Sequence, residues 1–220
     1  MRLGILGGTF DPIHLGHLRA AEEIGQEMDL EKVYLIPSAS PPHKTEEPLT
    51  QFRHRMTMAT LAVGDSSLLD VQDLEGNRPG LSYSIETLRE FHNVFGPDLD
   101  LFFILGVDAF LEIKTWKEYQ SLFHHAHFVV IERPGYPHER LESLLLDLCL
   151  EVKEERQYSV LLTPSGNSIM LVAVLNPMDI SSTQIRKMVA KGKSIHFLVP
   201  ESVRKYIIEK GLYKDHADYR

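Results

Sequence analysis

The sequence predicts an α/β fold: a doubly wound (Rossmann-like) parallel sheet with helices on both faces, in a single domain spanning residues 1–220. Short apolar runs alternate along the chain with longer segments whose apolar residues recur at helical spacing. Leu101–Leu105 is apolar throughout, which is typical of a strand buried on both faces of a parallel sheet. Gly7 and Gly8 directly follow the first apolar run, as expected where a strand passes into a turn.

Six short apolar runs are predicted to form the strands of the sheet. They are Leu3–Leu6, Val33–Pro37, Leu68–Val71, Leu101–Leu105, Phe128–Ile131 and Met170–Val174. Residues 151–169, between the last two runs, are polar and contain a Pro-Ser-Gly-Asn turn. A peripheral hairpin or loop is therefore expected there.

Five segments with helical periodicity are predicted between and after these strands. They are Leu15–Met28, Phe52–Val63, Ile85–Phe95, and about Thr183–Ala190 and Glu201–Glu209. The first carries Leu18, Ala21, Ile24 and Met28 at helical spacing. The third is ended by Gly96-Pro97, a strong helix stop.

Composition limits the classes of function. The 220 residues carry a net charge of −8, which argues against a nucleic-acid-binding protein but not against a small anionic substrate. The single cysteine, Cys149, lies among leucines, and a buried thiol in a reducing compartment is expected. No apolar stretch approaches the roughly 18 residues of a membrane span, and no signal-peptide pattern is seen, so a cytoplasmic protein without membrane partners is predicted.

Residues 7–17 read GGTFDPIHLGH, which places His14 and His17 just after the first predicted strand. A metal pair is disfavoured, because zinc needs three or four ligands, no acid lies between the histidines and no cysteine is near. A satisfied structural pair near a helix start is the plainer alternative. The glycines permit close backbone approach, and the amides of a helix N-terminus attract anions, so a phosphate site is favoured.

Neither a P-loop nor a G-x-G-x-x-G motif is present, so a phosphate would need a different module. Residues 180–186 read ISSTQIR and enter a predicted helix that Ser181, Ser182 and Thr183 can cap. Arg186, placed on the first turn, has a planar fork suited to phosphate oxygens. Ser-Ser-Thr alone is an ordinary cap. Combined with the histidines, it predicts two helix N-termini converging on one polyphosphate, with the C-terminal helices from about residue 181 completing the site.

The two motifs together resemble the nucleotidyltransferase superfamily that carries [HT]-x-G-H and I-S-S-T-x-x-R motifs. PSASPPHK at 37–44, LGVDAF at 105–110, the Trp116 segment and IERPGY at 131–136 narrow the resemblance to the bacterial nicotinate-nucleotide adenylyltransferases, over nearly the whole chain. The resemblance implies adenylyl transfer from ATP to nicotinate mononucleotide, giving deamido-NAD and pyrophosphate. It also implies Mg²⁺ that accompanies ATP with few or no protein ligands. A homo-oligomer is compatible with the sequence, which does not determine the oligomeric state.

The resemblance also assigns roles to individual residues. The expected catalytic residues are His14, His17, Lys44 and Arg186. The expected ATP-binding residues are Gly8, Thr9, Phe10, His14, His17, Gly106, Asp108, Ile180, Ser181 and Arg186. The expected mononucleotide-binding residues are Thr9, Lys44, Ser84, Trp116, Lys117 and Arg133. No protein metal ligand is expected.

Each of the less certain residues has a plainer alternative role. Lys44 could be a solvated surface lysine, Asp108 could cap the next helix, and Trp116 could be an aromatic residue of the core. Rival functions are a pantetheine-phosphate adenylyltransferase or cytidylyltransferase of the same superfamily, an adenylyltransferase for nicotinamide mononucleotide, a nucleotide-binding regulator without turnover, and a metal-dependent hydrolase.

Overall fold

A computed structural model describes residues 1–42, 49–132, 138–148, 151–155, 158–163 and 165–214. Eight strands in these ranges form one sheet. They are β1 (Arg2–Gly8), β2 (Lys32–Pro37), β3 (Leu69–Val71), β4 (Asp100–Gly106), β5 (His127–Ile131), β6 (Glu151–Glu155), β7 (Tyr158–Leu162) and β8 (Ser168–Val172). The strand order across the sheet is β3-β2-β1-β4-β5-β8-β7-β6.

Most of the sheet is parallel, which confirms the predicted doubly wound class. All pairs from β3 through β1 and β4 to β8 are parallel, whereas β7 pairs antiparallel with β8 and β6 with β7. The sheet is therefore mixed at one edge, because the polar segment 151–169 forms a hairpin that joins the sheet there. The last strand was predicted at Met170–Val174, but β8 begins and ends two residues earlier. Its first residue, Ser168, pairs with Leu162 of β7.

Within the described ranges, eight α-helices lie between the strands or after the last of them. They are α1 (Leu15–Glu27), α2 (Phe52–Val63), α3 (Ser84–Phe95), α4 (Val107–Leu111), α5 (Tyr119–His125), α6 (His138–Asp147), α7 (Ser182–Ala190) and α8 (Glu201–Lys210). The sequence reading predicted five of them and missed α4, α5 and α6. The first two of these are short, so they give little periodic signal.

The helices cover two separate apolar layers, one on each face of the sheet. Successive strand residues point to opposite faces, and in β1 Leu3 and Ile5 belong to one layer while Leu6 belongs to the other. The Leu6 layer is closed by α1, α2, α7 and α8, and the Ile5 layer by α3 to α6. Both layers therefore hold the carboxyl ends of the central strands in fixed positions.

The strand order reverses direction between β1 and β4, because β2 lies on one side of β1 and the chain then crosses to β4 on the other. A doubly wound sheet opens a crevice at such a point, beyond the carboxyl ends of the strands. Gly7 and Gly8 end β1 and Gly106 ends β4 at this edge. Within the described part of the chain, no helix is both long and apolar enough to cross a bilayer.

Candidate functional site

A cavity of about 740 Å³ opens at this switch point. This volume lies in the range of small-molecule sites. Most of the sequence-predicted site residues line it, namely Gly8, Thr9, Phe10, His17, Ser84, Gly106, Asp108, Trp116 and Lys117. The structure therefore brings the end of β1, the end of β4 and the start of α3 around one space.

The turn after β1 is held in an uncommon backbone conformation. Phe10 has φ of 48°, in the left-handed region, although its side chain is almost wholly buried. Such a conformation persists at a non-glycine residue when the surrounding structure fixes it, and it is concentrated at functional sites. The ring of Phe10 meets the His17 ring edge-on, with 5.1 Å between centroids.

His14 and His17 form the start of α1. His14 is the N-cap, and its Nδ1 accepts the backbone N–H of His17 at 3.4 Å, while Nδ1 of His17 accepts the backbone N–H of His14 at 3.3 Å. The two rings are stacked, with 3.6 Å between centroids. Since both Nδ1 atoms accept hydrogen bonds, a neutral ring in this geometry carries its proton on Nε2.

The N-terminus of α7 lies beside that of α1, as the sequence predicts. The Ser182 hydroxyl donates to the carbonyl oxygen of Pro12 at 2.8 Å, and Nη1 of Arg186 donates to that of Asp11 at 2.8 Å. Both contacts attach α7 to the turn that leads into α1. His14, Ile180, Ser181 and Arg186 are not among the residues in the cavity wall, and they belong to this adjoining pair of helix starts.

Two details of α7 correct the sequence interpretation. Ser181 occupies the N-cap position, but its side chain makes no capping hydrogen bond. Ser182, expected as a cap, is used to hold Pro12 instead. Arg186 is the fifth residue of the helix rather than part of its first turn, and this position lets its side chain reach Asp11.

A carboxylate holds the segment that precedes α7. Glu23 of α1 accepts the backbone N–H of Leu175 and, at 3.4 Å, the side-chain amide of Asn176. Burial alone would raise the pKa of Glu23, but the hydrogen bonds from Leu175, Arg19 and Asn176 lower it overall. A charged Glu23 therefore fixes the chain that leads to Ile180 and Ser181.

Another part of the cavity wall is formed by the start of α3 and by Trp116. Ser84 is the first residue of α3, one position earlier than predicted, so its N–H has no acceptor within the helix. Trp116 lies edge-on to Phe103, with 6.2 Å between ring centroids and planes at 90°. Lys117 directs its ammonium to Glu86 at 2.7 Å and over the Tyr83 ring at 4.5 Å. Its side chain is thus engaged, and its backbone remains the group predicted to contact substrate.

Two predicted residues, Lys44 and Arg133, lie outside the described residues, as does Cys149. Pro41 and Pro42, which precede Lys44 by two residues or more, line the cavity. The roles assigned to Lys44 and Arg133 stay predictions.

The structure adds residues that the sequence reading did not select. Asp11 is buried, and its carboxylate accepts the Tyr213 hydroxyl at 2.6 Å and the Thr50 N–H at 3.1 Å. Burial, and then the negative charge of Asp11, raises the pKa of Tyr213 well above its usual range. Glu75 is a buried carboxylate in the cavity wall that accepts the Thr87 hydroxyl at 3.0 Å. Arg55 is a further buried charged residue that the sequence did not single out.

No local signal marks most of these residues. Tyr213 and Asp11 are 202 residues apart in sequence, so their contact is a product of the tertiary fold. The Asp-Pro pair at 11–12 is typical of a turn, but it does not indicate that the Asp11 side chain is buried. Arg55 precedes the buried Met58 and Ala59 by three and four residues, a spacing that places it on the buried side of α2.

Comparison with known proteins agrees with this geometry. The sequence model of the cytidylyltransferase-like family matches residues 5–188. A Geotalea daltonii protein named "Probable nicotinate-nucleotide adenylyltransferase" is 43% identical, covering 98% of this chain and 99% of its own length. A Desulfitobacterium hafniense protein of the same name is 45% identical, covering 97% and 96%. The chain belongs to the nicotinate-nucleotide adenylyltransferase family.

Solved structures support the fold independently. The Plasmodium falciparum nicotinic acid mononucleotide adenylyltransferase in complex with NaAD has a TM-score of 0.73 at 22% identity, covering 100% of this chain and 98% of the other. The same enzyme in complex with APC gives a TM-score of 0.69. At this identity the likeness shows the fold of the family. The sequence-based resemblance to this family is confirmed.

Proposed function

We propose that this protein transfers the adenylyl group of ATP to nicotinate mononucleotide, forming deamido-NAD and releasing pyrophosphate. The observation that carries the proposal is the pair of adjoining helix N-termini, α1 and α7, beside a cavity that Ser84 and Trp116 also line. Two helix starts suit a polyphosphate. An aromatic ring and a further helix start suit a planar base with an anionic substituent.

In the proposed reaction an oxygen of the mononucleotide phosphate attacks the α-phosphorus of ATP. A new P–O bond forms, and the bond from the α-phosphorus to the bridging oxygen breaks with its electron pair passing to pyrophosphate. The attacking phosphate is already ionised near neutral pH, so no general base is needed. Catalysis then depends on positioning two polyanions in line and on stabilising the charge that develops.

We propose that one group of residues binds ATP and another binds the mononucleotide. The Nε2–H groups of His14 and His17 and the amides of Gly8, Thr9 and Phe10 are proposed to donate to the phosphates. Ser181 and Arg186 are proposed to hold the β- and γ-phosphates, with Gly106, Asp108 and Ile180 along the rest of ATP. On the mononucleotide side we propose Thr9 and Lys44 at the phosphate, Ser84, Trp116 and Lys117 at the base, and Arg133 near the cleft.

Mg²⁺ is proposed to enter with ATP. Among the described residues, no group of three or more His, Cys, Asp or Glu side chains is gathered to hold a metal ion, and the carboxylates in the described cavity wall are Glu75 and Asp108. This donor set fits Mg²⁺, which keeps several waters and is commonly bound through substrate phosphates with one or two carboxylates. When bound, the ion would neutralise phosphate charge.

The test is to incubate the protein with ATP and Mg²⁺ together with nicotinate mononucleotide, nicotinamide mononucleotide or phosphopantetheine, and to identify the products. We expect deamido-NAD and stoichiometric pyrophosphate with the first acceptor, and loss of both when Mg²⁺ is chelated. A preference for either other acceptor, or binding without pyrophosphate release, would contradict the proposal. Homo-oligomer formation and cytoplasmic location stay predictions, which sedimentation and cell fractionation can check.

A further inference from the structure

Arg55 is among the largest fully buried side chains in the described part of the chain, with 1% of its surface exposed. A buried cation needs many hydrogen bonds to offset its lost hydration. Arg55 obtains them from four backbone carbonyl groups. Its Nε donates to Thr50 at 2.8 Å, its Nη1 to Thr9 at 2.8 Å and to Ser38 at 2.7 Å, and its Nη2 to Ala39 at 3.3 Å.

These four carbonyls belong to separate segments around the site. Thr9 is in the turn after β1, Ser38 and Ala39 begin the loop after β2, and Thr50 lies on the far side of the segment that contains Lys44. The planar guanidinium of Arg55 therefore fixes the two stems of residues 38–50 relative to each other and to the turn. Five donors in a rigid fork allow this, which a lysine ammonium cannot reproduce in the same geometry.

The contact with Thr9 is next to the strained residue of that turn. Phe10, with φ of 48°, lies between two carbonyls that each accept from an arginine: Thr9 from Arg55 and Asp11 from Arg186, both at 2.8 Å. Asp11 is held further by Tyr213 and Thr50. Arg55 of α2 thus supports the left-handed turn together with Arg186 of α7.

The charge of Arg55 is retained in this environment. The pKa of its guanidinium is lowered overall by burial, although electrostatic interactions with Asp11, Tyr213 and Glu75 partly oppose this. Since an arginine ordinarily titrates far above neutral pH, its positive charge persists behind the turn that is to receive phosphates. In a poorly solvated setting such a charge acts over a longer range than it would in water.

We propose that Arg55 is a positioning residue for the adenylyl transfer: it holds the turn at Thr9 and both stems of the Lys44 segment in the arrangement that aligns the two substrates. The proposal rests on the function proposed above. It predicts that substitution of Arg55 lowers kcat by a larger factor than it lowers the folded fraction, because small displacements of reacting groups reduce rates about 10²-fold. It also predicts weaker mononucleotide binding, because Ser38, Pro41 and Pro42 on the first of these stems line the cavity.

The experiment compares Arg55→Lys and Arg55→Met with wild type and with Arg53→Lys, a matched control at an exposed position on the same helix. The fluorescence of Trp116, the single tryptophan, reports mononucleotide affinity and the fraction of molecules able to bind, without turnover. Initial rates give kcat and both KM values, and circular dichroism gives the folded fraction.

We expect kcat per binding-competent molecule to fall about tenfold in Arg55→Lys and about 10²-fold in Arg55→Met. The KM for the mononucleotide should rise in both variants, while Arg53→Lys behaves as wild type. Equal kcat and KM in Arg55→Lys and wild type would overturn the proposal, as would a loss of rate explained entirely by a smaller binding-competent fraction, since that would make the role structural only.

Failure of the proposed function would be seen differently, as absence of product in wild type and in Arg53→Lys. The fluorescence titration with nicotinate mononucleotide still decides the role of Arg55 in that case. Weaker binding by both Arg55 variants at full binding stoichiometry would support it, and unchanged affinity would overturn it.

Discussion

His14 and His17 cap each other at the start of α1. Each ring accepts the other residue's backbone N–H through Nδ1, at 3.4 and 3.3 Å, and the rings stack at 3.6 Å. The sequence left open whether the pair is structural or binds phosphate, and this arrangement is compatible with both. The Nδ1 atoms cap the helix, and by doing so they fix the direction of each Nε2. Protonation of either ring at Nδ1 would break a cap.

The first prediction separates the two roles of His17. An asparagine can replace Nδ1 as the acceptor for the His14 N–H, whereas a glutamine can place an amide donor near the position of Nε2. His17→Asn should keep stability but lose about 10²–10³-fold in kcat, the usual effect of removing one preorganised donor. His17→Gln should keep more turnover, and its stability should stay near that of wild type, because a glutamine at the third helical position can also accept the N-cap N–H. Thermal unfolding and initial rates measure both, and an active His17→Asn enzyme would show that the cap is the whole role.

The second prediction concerns Arg186. One arm of its guanidinium donates to the Asp11 carbonyl at 2.8 Å, so the group supports the turn as well as facing the proposed phosphates. Arg186→Lys keeps the charge but loses the planar fork. We expect ATP affinity and kcat to fall together, with a folded protein by circular dichroism. Lys187→Arg, a neighbouring change on the same helix, should have no effect, and wild-type kinetics in Arg186→Lys would remove Arg186 from the site.

The sequence was sufficient for features that depend on neighbouring residues. The strand at Leu3–Leu6, the glycines after it and the histidines at a helix start are local patterns, and the structure contains all three. A peripheral hairpin or loop was predicted at 151–169, but not that its strands would extend the main sheet, since Lys153 and Glu154 in β6 are polar and the pairing of β7 with β8 joins distant residues. Arg55 shows that a residue's tertiary contacts also cannot be predicted from local patterns. Helical spacing can place it on the buried side of α2, but it cannot identify four carbonyls from three separate segments.

The third prediction follows from Tyr213. Its pKa is raised well above its usual range by burial and by the charge of Asp11, so the neutral phenol is favoured in the folded state. A raised pKa in the folded state contributes stability that is fully present below the unfolded value, about 10, and is lost as the pH rises above that value. Tyr213→Phe should cost about 1.5–3 kcal/mol at pH 7, because a buried carboxylate loses one donor.

The pH dependence distinguishes this hydrogen bond from simple packing. Urea unfolding of wild type and Tyr213→Phe at pH 7 to 11 should show the difference in free energy of unfolding shrinking above about pH 10. A constant difference across that range would contradict the assignment. Tyr206→Phe serves as the control, since Tyr206 donates to or accepts from His54 at 2.8 Å in a half-buried contact away from Asp11.

The last prediction concerns the choice between acid and amide mononucleotides. Ser84 begins α3, where N–H groups without intrahelical acceptors and the helix dipole favour a carboxylate over a carboxamide. Lys117, whose ammonium lies over the Tyr83 ring next to this helix start, is already paired with Glu86 at 2.7 Å, so we expect backbone donors to carry the discrimination. Trp116 would contribute stacking, which does not distinguish the two bases. Trp116→Ala should therefore lower kcat/KM for both mononucleotides by similar factors, leaving the preference for the acid intact. Measuring kcat/KM for both substrates in wild type and variant tests this, and Trp116→Phe should recover part of the loss because it retains an aromatic face. If the preference for the acid disappears in Trp116→Ala, the indole, and not the start of α3, discriminates between the two mononucleotides.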